Sequence, residues 1–210
     1  MKKYCTMLAC LSIAGMLNAG DYVFDFGPKD GKKAVEGITL VDVKDIYSAE
    51  KKSGWEKPIR AIVFTRELDA RVDEQTRDGI CSAEGAKENP AANDVTFIAD
   101  IPDGFYQMEV AVGDSAKGEC RQNICVDVNG LTMIPEPGVG GWGQVVKKSF
   151  PAEIRDGKFK VRFYCSPIKK DLSRLSLLSL ALKQLTAEAD IKKAKDELSK
   201  VTVPVKEKAE

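Results

Sequence analysis

The segment from residue 95 to residue 114 constrains the fold of this chain more than any other. Apolar residues occupy alternate positions from Val95 to Ile101, and the alternation resumes from Tyr106 to Val112 after a Pro-Asp-Gly break. A period of two is typical of a half-buried β-strand, and proline and glycine favour a turn between two such runs. The segment therefore predicts a β-hairpin. A lone hairpin is not stable in water, so we expect it at the centre of a larger sheet structure.

Short strand-like runs recur along the rest of the chain, separated by glycine, proline and polar residues. The other predicted strands are Tyr22–Gly27, Ile38–Val43, Ala61–Phe64, Asn123–Val128, Leu131–Ile134, Val145–Phe150 and Lys158–Tyr164. Longer polar segments predict loops at Asp45–Trp55 and Glu84–Asp94, and a run rich in glycine and proline predicts another at Pro135–Gly143. Asn129-Gly130 predicts a hairpin turn. Many short strands with no helix between them indicate an all-β fold, either a β-sandwich or a jelly roll.

The C-terminal part of the chain departs from this pattern. Leu172–Leu185 fits either a strand or a helix, because its leucines match both periods. Ala187–Lys200 carries a thin apolar stripe among Lys and Glu, which predicts a short charged α-helix. Val201–Glu210 contains Pro204 and is expected to be a disordered tail. We therefore assign 20–185 to the sandwich domain and 186–210 to the charged helix and tail.

The N-terminus has the pattern of a secretory signal peptide. Lys2-Lys3 precedes an apolar run from Tyr4 to Leu17, and a small residue, Ala19, marks the expected cleavage site, so residues 1–19 would be removed. The run is too short to span a membrane. A rival interpretation makes Cys10 a lipidated residue, although the apolar run continues past it. The sequence thus predicts a periplasmic or extracellular protein.

The cysteine count agrees with export. After cleavage four cysteines remain, Cys81, Cys120, Cys125 and Cys165, and an even number in an exported chain suggests disulfides, with three connectivities open. Cys120 and Cys125 are close enough in sequence to form a local bridge, which leaves Cys81 with Cys165. The alternative is a zinc site with four thiolate ligands, for which the chain lacks the usual CxxC spacing.

The composition excludes several kinds of chemistry. The chain contains no histidine, so Ser-His-Asp and Cys-His catalytic arrangements and histidine metal ligands are impossible. It also lacks a phosphate-binding glycine loop and a nucleophile elbow. Basic and acidic residues balance at 32 each, which argues against nucleic acid as a partner. Paired carboxylates or a Tyr, Lys or Arg base remain open, but no catalytic residue can be assigned, and enzymatic activity is not the favoured interpretation.

A set of short motifs, in order, resembles one known family. They are Phe24-Asp25-Phe26-Gly27, Tyr47-Ser48, Gly54-Trp55, Arg77-Asp78, Phe97-x-Ala-Asp-Ile-Pro-Asp-Gly-x-Tyr106 and Val112-Gly113-Asp114. This order is similar to the galactose-binding-like jelly roll that precedes the catalytic domain of bacterial rhamnogalacturonan-acetylesterase-like proteins, and more distantly to malectin. The resemblance covers about Tyr22 to Leu185, and it implies that Leu175–Leu182 is the closing strand. Two departures are a reduced aromatic element at Ser53-Gly54-Trp55 and a charged helix in place of a catalytic domain, so hydrolase activity does not carry over.

The resemblance and the loop aromatics together suggest carbohydrate binding. Sugars stack on aromatic faces and bond to neighbouring polar groups, and the candidate residues are Tyr47, Trp55, Arg77, Asp78 and Trp142. Each has a structural alternative: the tryptophans could pack in the core, and Arg77-Asp78 could be an internal ion pair.

The resemblance also implies a structural calcium ion, to which Asp25 or Asp114 could contribute oxygen ligands. No other cofactor is expected.

One favoured function and two alternatives follow from these observations. The first is a secreted, non-catalytic carbohydrate-binding module whose partner is a polysaccharide or oligosaccharide, pectic polysaccharides being one class. The alternative is a structural or protein-interaction module that uses the C-terminal helix, or an accessory protein to a polysaccharide-active esterase or lyase.

Overall fold

A computed structural model of the chain describes residues 20–29, 36–65, 78–85, 88–115, 123–141, 143–165 and 173–201. The predicted signal peptide and the tail beyond residue 201 lie outside the described residues. So do Arg77, Cys120 and Trp142.

The described residues form two β-sheets and one α-helix. The strands and the helix are β1 Tyr22–Phe26, β2 Ile38–Val41, β3 Ser53–Trp55, β4 Ala61–Thr65, β5 Asp78–Ser82, β6 Asp94–Asp100, β7 Gly104–Gly113, β8 Ile124–Val128, β9 Leu131–Val139, β10 Val145–Ile154, β11 Lys158–Cys165, β12 Ser176–Gln184 and α1 Glu188–Leu198. A 3-10 helix, Pro90–Asn93, precedes β6. The predicted all-β sandwich with a short C-terminal helix is confirmed.

The two sheets have different sizes and almost entirely antiparallel pairing. The seven-stranded sheet has the order β10-β7-β12-β1-β2, and β5 continues it beside β12 with β4 at its edge. The five-stranded sheet has the order β3-β6-β11-β8-β9. The β1–β2 pair is parallel. No helix within the described ranges is long and apolar enough to cross a membrane.

The predicted central hairpin is wrong, although both of its strands exist. β6 pairs with β3 and β11 in the five-stranded sheet, whereas β7 pairs with β10 and β12 in the seven-stranded sheet. The Pro-Asp-Gly connection therefore crosses between the sheets. The Tyr106 hydroxyl donates to the carbonyl oxygen of Pro102, and the Asp103 carboxylate accepts from the amide of Gly157, which fix this crossing. Alternation predicted the buried face of each strand but not its partner.

Alternating apolar residues from both sheets meet in one core. Phe97 of β6 packs edge-on against Phe24 and Phe26 of β1, with ring centroids 4.9 and 5.4 Å apart. Trp55 of β3 lies 5.6 Å from Phe97 and 5.3 Å from Phe26. These rings are buried, so they form the centre of the contact between the sheets.

Several local predictions are confirmed and others are corrected. Asn129 and Gly130 both have positive φ and close the β8–β9 hairpin, and the closing strand implied by the family resemblance is β12. The predicted loop at Pro135–Gly143 is wrong in its first part, because β9 continues to Val139. The loop predicted to end at Trp55 instead ends in β3.

The predicted disulfides are not present in the structure. Cys125 and Cys165 both carry unbonded thiols, so neither the Cys120–Cys125 nor the Cys81–Cys165 bridge is formed. Cys165 points into the core, whereas Cys81 packs with Phe64 on the outer side of the seven-stranded sheet. A layer of the sheet therefore separates those two side chains.

Burial keeps both of these thiols protonated. It raises the pKa of Cys125 to about 11, and the carboxylate of Glu136 adds to the effect. Burial likewise raises the pKa of Cys165 to about 12. Because thiolates are the reactive form, both cysteines should be inert in the folded chain.

The first prediction concerns the aromatic core. Phe97→Ala should lower the free energy of unfolding by about 3–5 kcal/mol, because it removes a ring that contacts both sheets. The matched control is Ile98→Ala, the next residue of β6, whose side chain is on the outer face and should cost about 1 kcal/mol or less. Urea denaturation measures both. Equal losses for the two variants would contradict the assignment of the strand faces.

The second prediction concerns the thiols. At pH 8 a small alkylating reagent should leave Cys125 and Cys165 unmodified in the folded chain and modify both after unfolding without a reductant. Thiols ionise near pH 8.5–9 in the unfolded chain but only near pH 11 and 12 in the folded one. Below about pH 8.5 both states are protonated, so the two thiols do not change the free energy of unfolding. Above that pH the unfolded chain loses these protons first, so the free energy of unfolding should fall as the pH rises towards 11 and 12. Peptide mass spectrometry reads out each residue. Labelling that needs a reductant would instead support the bridges predicted from sequence.

Candidate functional site

Trp55, a predicted sugar-binding residue, is a core residue. Its ring is fully buried, and the indole N–H donates to the carbonyl oxygen of Asp42 at 2.9 Å. Gly54 has a positive φ of 147°, and a Cβ at this position would lie 2.5 Å from the carbonyl oxygen of Asp45. The glycine therefore allows the preceding loop to pack closely on β3. Trp55 cannot present its ring to a sugar, so this part of the prediction is wrong.

Tyr47 lies at the surface but its polar groups are already occupied. The hydroxyl donates to Oδ1 of Asp100 at 2.8 Å, and the Lys158 ammonium donates to the Tyr47 hydroxyl oxygen and to the same Asp100 Oδ1. The same ammonium lies 4.6 Å from the centre of the Tyr47 ring. Hydrogen bonding to Lys158 lowers the pKa of Asp100, and hydrogen bonding to Asp100 raises the pKa of Lys158. The cluster pins the loop before β3 to β6 and β11.

Asp78 is also unsuited to contact a ligand from solvent. It begins β5 and is buried. Its Cβ packs against the backbone of Gly27, where an added Cβ would lie only 3.1 Å away. Arg77 and Trp142 lie outside the described residues, so their roles stay predictions. Of the three predicted residues that the structure describes, Trp55 and Asp78 are buried, and the hydroxyl of Tyr47 is bonded to Asp100 and Lys158.

The two aspartates predicted as calcium ligands lie in or next to strands of the seven-stranded sheet. Asp25 is buried within β1, and Asp114 follows β7. In the described part of the chain, no three His, Cys, Asp or Glu side chains are arranged to hold a metal ion. Calcium binding through Asp25 or Asp114 stays a prediction.

A groove beside α1 is the best candidate for a binding site in the described chain. We call it the helix–sheet groove; its volume is about 430 Å³, and it is lined by Phe105, Leu131, Glu153, Arg155, Lys195, Leu198 and Ser199. Ligand pockets in proteins measure roughly 300–1,000 Å³, so the groove can hold a small molecule or one or two sugar rings.

The helix α1 forms one wall of this groove. Few of its side chains are buried against the sheet, so most of its surface stands away from the sandwich. Only Ala194 and Leu198 are buried among the residues of α1, so the helix contacts β10 along a narrow line. A second, smaller groove of about 290 Å³ lies on the other side of the helix, between Gln107 and Glu197. The short contact line leaves open space on both sides of α1.

The helix–sheet groove combines one aromatic side chain with positively and negatively charged side chains. Phe105 of β7 is half-buried, and the Lys195 ammonium lies 5.1 Å from the centre of its ring. Arg155 donates to the Glu153 carboxylate at 2.8 Å, and this hydrogen bond raises the pKa of Arg155. An aromatic ring beside exposed hydrogen-bonding groups is the combination that sugar binding requires.

Sequence reasoning missed this groove for an identifiable reason. Phe105 falls on the outer parity of β7, next to the core residue Tyr106. A large aromatic residue on the solvent parity of a strand is a signal that could have been used. The pairing of that residue with Lys195, ninety residues later, depends on where α1 docks and is not visible in the sequence.

Comparisons with known proteins identify the fold but no family. No protein-family model matches the chain, and no curated protein matches it. Solved structures do match. YxiM from Bacillus subtilis is 20% identical with a TM-score of 0.53, and the alignment covers 79% of this chain and 40% of that one. The plant receptor-like kinase FER is 7% identical with a TM-score of 0.54, covering 79% and 42% of the two chains.

A third similar structure is a β-glucuronidase from Bacteroides uniformis. It is 14% identical with a TM-score of 0.51, and the alignment covers 79% of this chain and 18% of the enzyme. The chain thus spans less than half the length of each of these proteins. At such low identity the matches show the fold alone, a β-sandwich that this chain shares with part of each of these proteins. They do not extend to the finer resemblance to rhamnogalacturonan-acetylesterase-like proteins.

The third prediction tests whether Leu198 holds the wall of the groove in place. Leu198→Ala should make α1 detach roughly tenfold to a hundredfold more often, because burial of a leucine contributes about 1.5–3 kcal/mol. Hydrogen exchange of the α1 amides measures this. Lys192→Ala, on the exposed side of the same helix, is the control and should leave exchange nearly unchanged. Similar exchange in the two variants would mean that α1 is not held by Leu198.

Proposed function

We propose that this chain is a secreted, non-catalytic carbohydrate-binding module that binds saccharides in the helix–sheet groove. The observation that carries the proposal is the position of the half-buried Phe105 ring in a groove with Glu153, Arg155 and Lys195 at its rim. The apolar face of a sugar ring would lie against Phe105. The charged groups would bond to its hydroxyls.

The geometry at Phe105 leaves room for such a contact. Lys195 reaches the ring from α1 by a long flexible side chain, which a sugar can displace or share. Leu131 and Leu198 also line the groove and add apolar surface to it. Arg155 and Lys195 are exposed, so they would exchange water for sugar hydroxyls at low cost.

The fold supports the same class of function by analogy alone. A β-sandwich of this class has many functions, and a fold does not define a ligand. The motif resemblance to proteins that act on pectic polysaccharides makes these the first ligands to test. Secretion rests on the N-terminal pattern of Lys2-Lys3 and the apolar run that follows, and it is part of the proposal.

The alternative of protein interaction through α1 has less support. The two buried side chains of the helix, Ala194 and Leu198, pack on the chain's own sandwich. The remaining surface of α1 is charged, which offers a partner little apolar area. An accessory role beside an esterase or lyase is compatible with the proposal, since it would use the same binding activity.

The fourth prediction tests the binding and its location. Affinity electrophoresis of the full chain against pectic and other plant or algal polysaccharides should show retardation by at least one of them. Phe105→Ala should weaken that binding about tenfold or more, because it removes the surface on which the sugar stacks. Tyr47→Ala removes an aromatic side chain outside the groove and should bind as the unmodified chain does.

Two results would contradict the proposal in different ways. If the folded chain binds none of the polysaccharides, carbohydrate binding itself is rejected. If Tyr47→Ala abolishes binding and Phe105→Ala does not, carbohydrate binding stands but the site is the Tyr47 cluster. Circular dichroism of each variant shows that the fold is retained.

A further inference from the structure

The edge strand β4 carries an unusual apolar surface. Among the described residues, Ile62 and Val63 are the two large hydrophobic residues that are exposed to solvent. Their exposed fractions are 53% and 39%. They are neighbours in sequence, so they project from opposite faces of the strand. In the pairing with β5, Ile62 lies opposite Cys81 and Val63 lies opposite Ile80.

The geometry of this surface restricts what could cover it. Within the described chain β4 pairs with β5 on one side and with no other strand, so it is an edge of the seven-stranded sheet. A partner that packed on one face of the sheet would cover only one of the two side chains. A strand added beside β4 would cover both, because its own side chains lie next to them on both faces.

We propose that β4 pairs with β4 of a second copy of this chain, in an antiparallel two-fold arrangement centred on Ile62. In this register Ile62 lies against its own copy, and Ala61 lies against Val63. Arg60 lies against Phe64, so no like charges face each other. The interaction is independent of the helix–sheet groove, which lies at the other side of the sheet.

The charges near β4 favour this orientation over a parallel one. Lys57 and Arg60 are exposed and lie at the N-terminal side of the strand. Antiparallel pairing places these cations at opposite ends of the paired strands. Parallel pairing would place them side by side with their copies, and like charges directly opposite destabilise a strand pair.

The length of the edge sets the strength of the interaction. β4 has five residues, so the pair buries less than the roughly 1,000 Å² of a stable specific interface. The dimer is therefore weak, and it forms at high concentration or where copies are held close together. An isologous contact of this kind closes on itself and leaves no further free β4 edge.

Sedimentation equilibrium of the full chain from about 5 to 500 µM tests the proposal. This range covers the dissociation constants expected for a small, weak interface. The unmodified chain should pass from monomer to dimer. Ile62→Lys and Ile62→Glu should each weaken association about tenfold or more, because each places like charges opposite each other. An equimolar mixture of the two variants should associate again, because lysine then faces glutamate.

Thr132→Lys is the control, since it adds the same charge to β9 of the other sheet and should not change association. A chain that remains monomeric at every concentration would overturn the proposal, as would Ile62 variants that associate like the unmodified chain. Failure of the mixture to associate would also overturn it, because Ile62 faces its own copy only in this register. Thermal unfolding of each variant shows that it is folded.

Discussion

Packing of aromatic rings across the interior is the interaction on which this structure depends most. Phe97 of the five-stranded sheet contacts Phe24 and Phe26 of the seven-stranded sheet edge-on, and Trp55 completes the cluster. Such pairs stabilise by about 0.5–1.5 kcal/mol each beyond the burial of their surface. The cluster fixes the sheets against each other, and it holds β3 and the loop before it, which includes Tyr47.

The candidate binding site depends on a second and weaker contact. α1 lies on the rim of the sandwich through two buried side chains, Ala194 and Leu198. A helix with a wider apolar face would close against the sheet and leave no groove. The thin stripe that makes α1 marginal as a docked helix therefore creates the space beside Phe105. Structure and proposed function here share one cause, the small apolar area of the helix.

The sequence predicted more of the elements than of their arrangement. Alternation identified β6, β7 and β11, and Asn129-Gly130 identified the hairpin turn, because these signals are local. The pairing of β6 with β7 was wrong because alternation states which side of a strand is buried, and both sheets bury one side. The predicted site failed for a similar reason at Trp55, since glycine-rich flanks predict a turn or a close approach but not exposure.

The cysteines show the same limit in another form. Their even number and the N-terminal pattern predicted bridges, yet sequence does not state which face of which sheet carries each thiol. Burial, which raises the pKa of Cys125 and Cys165, is a property of the folded chain alone. Phe105 was overlooked because its partner Lys195 is distant in sequence. In each case the missing information is the contact between elements.

The central claim is that a saccharide occupies the helix–sheet groove. Chemical-shift mapping of the isotope-labelled chain, titrated with oligosaccharides from a polysaccharide that it binds, tests this most directly. We expect the largest shifts on Phe105 of β7, on Arg155 just after β10, and on Lys195 and Ser199 at the end of α1, because these residues line the groove together. Shifts confined to Tyr47 and the neighbouring residues of β6 and β11, with the groove unchanged, would contradict it.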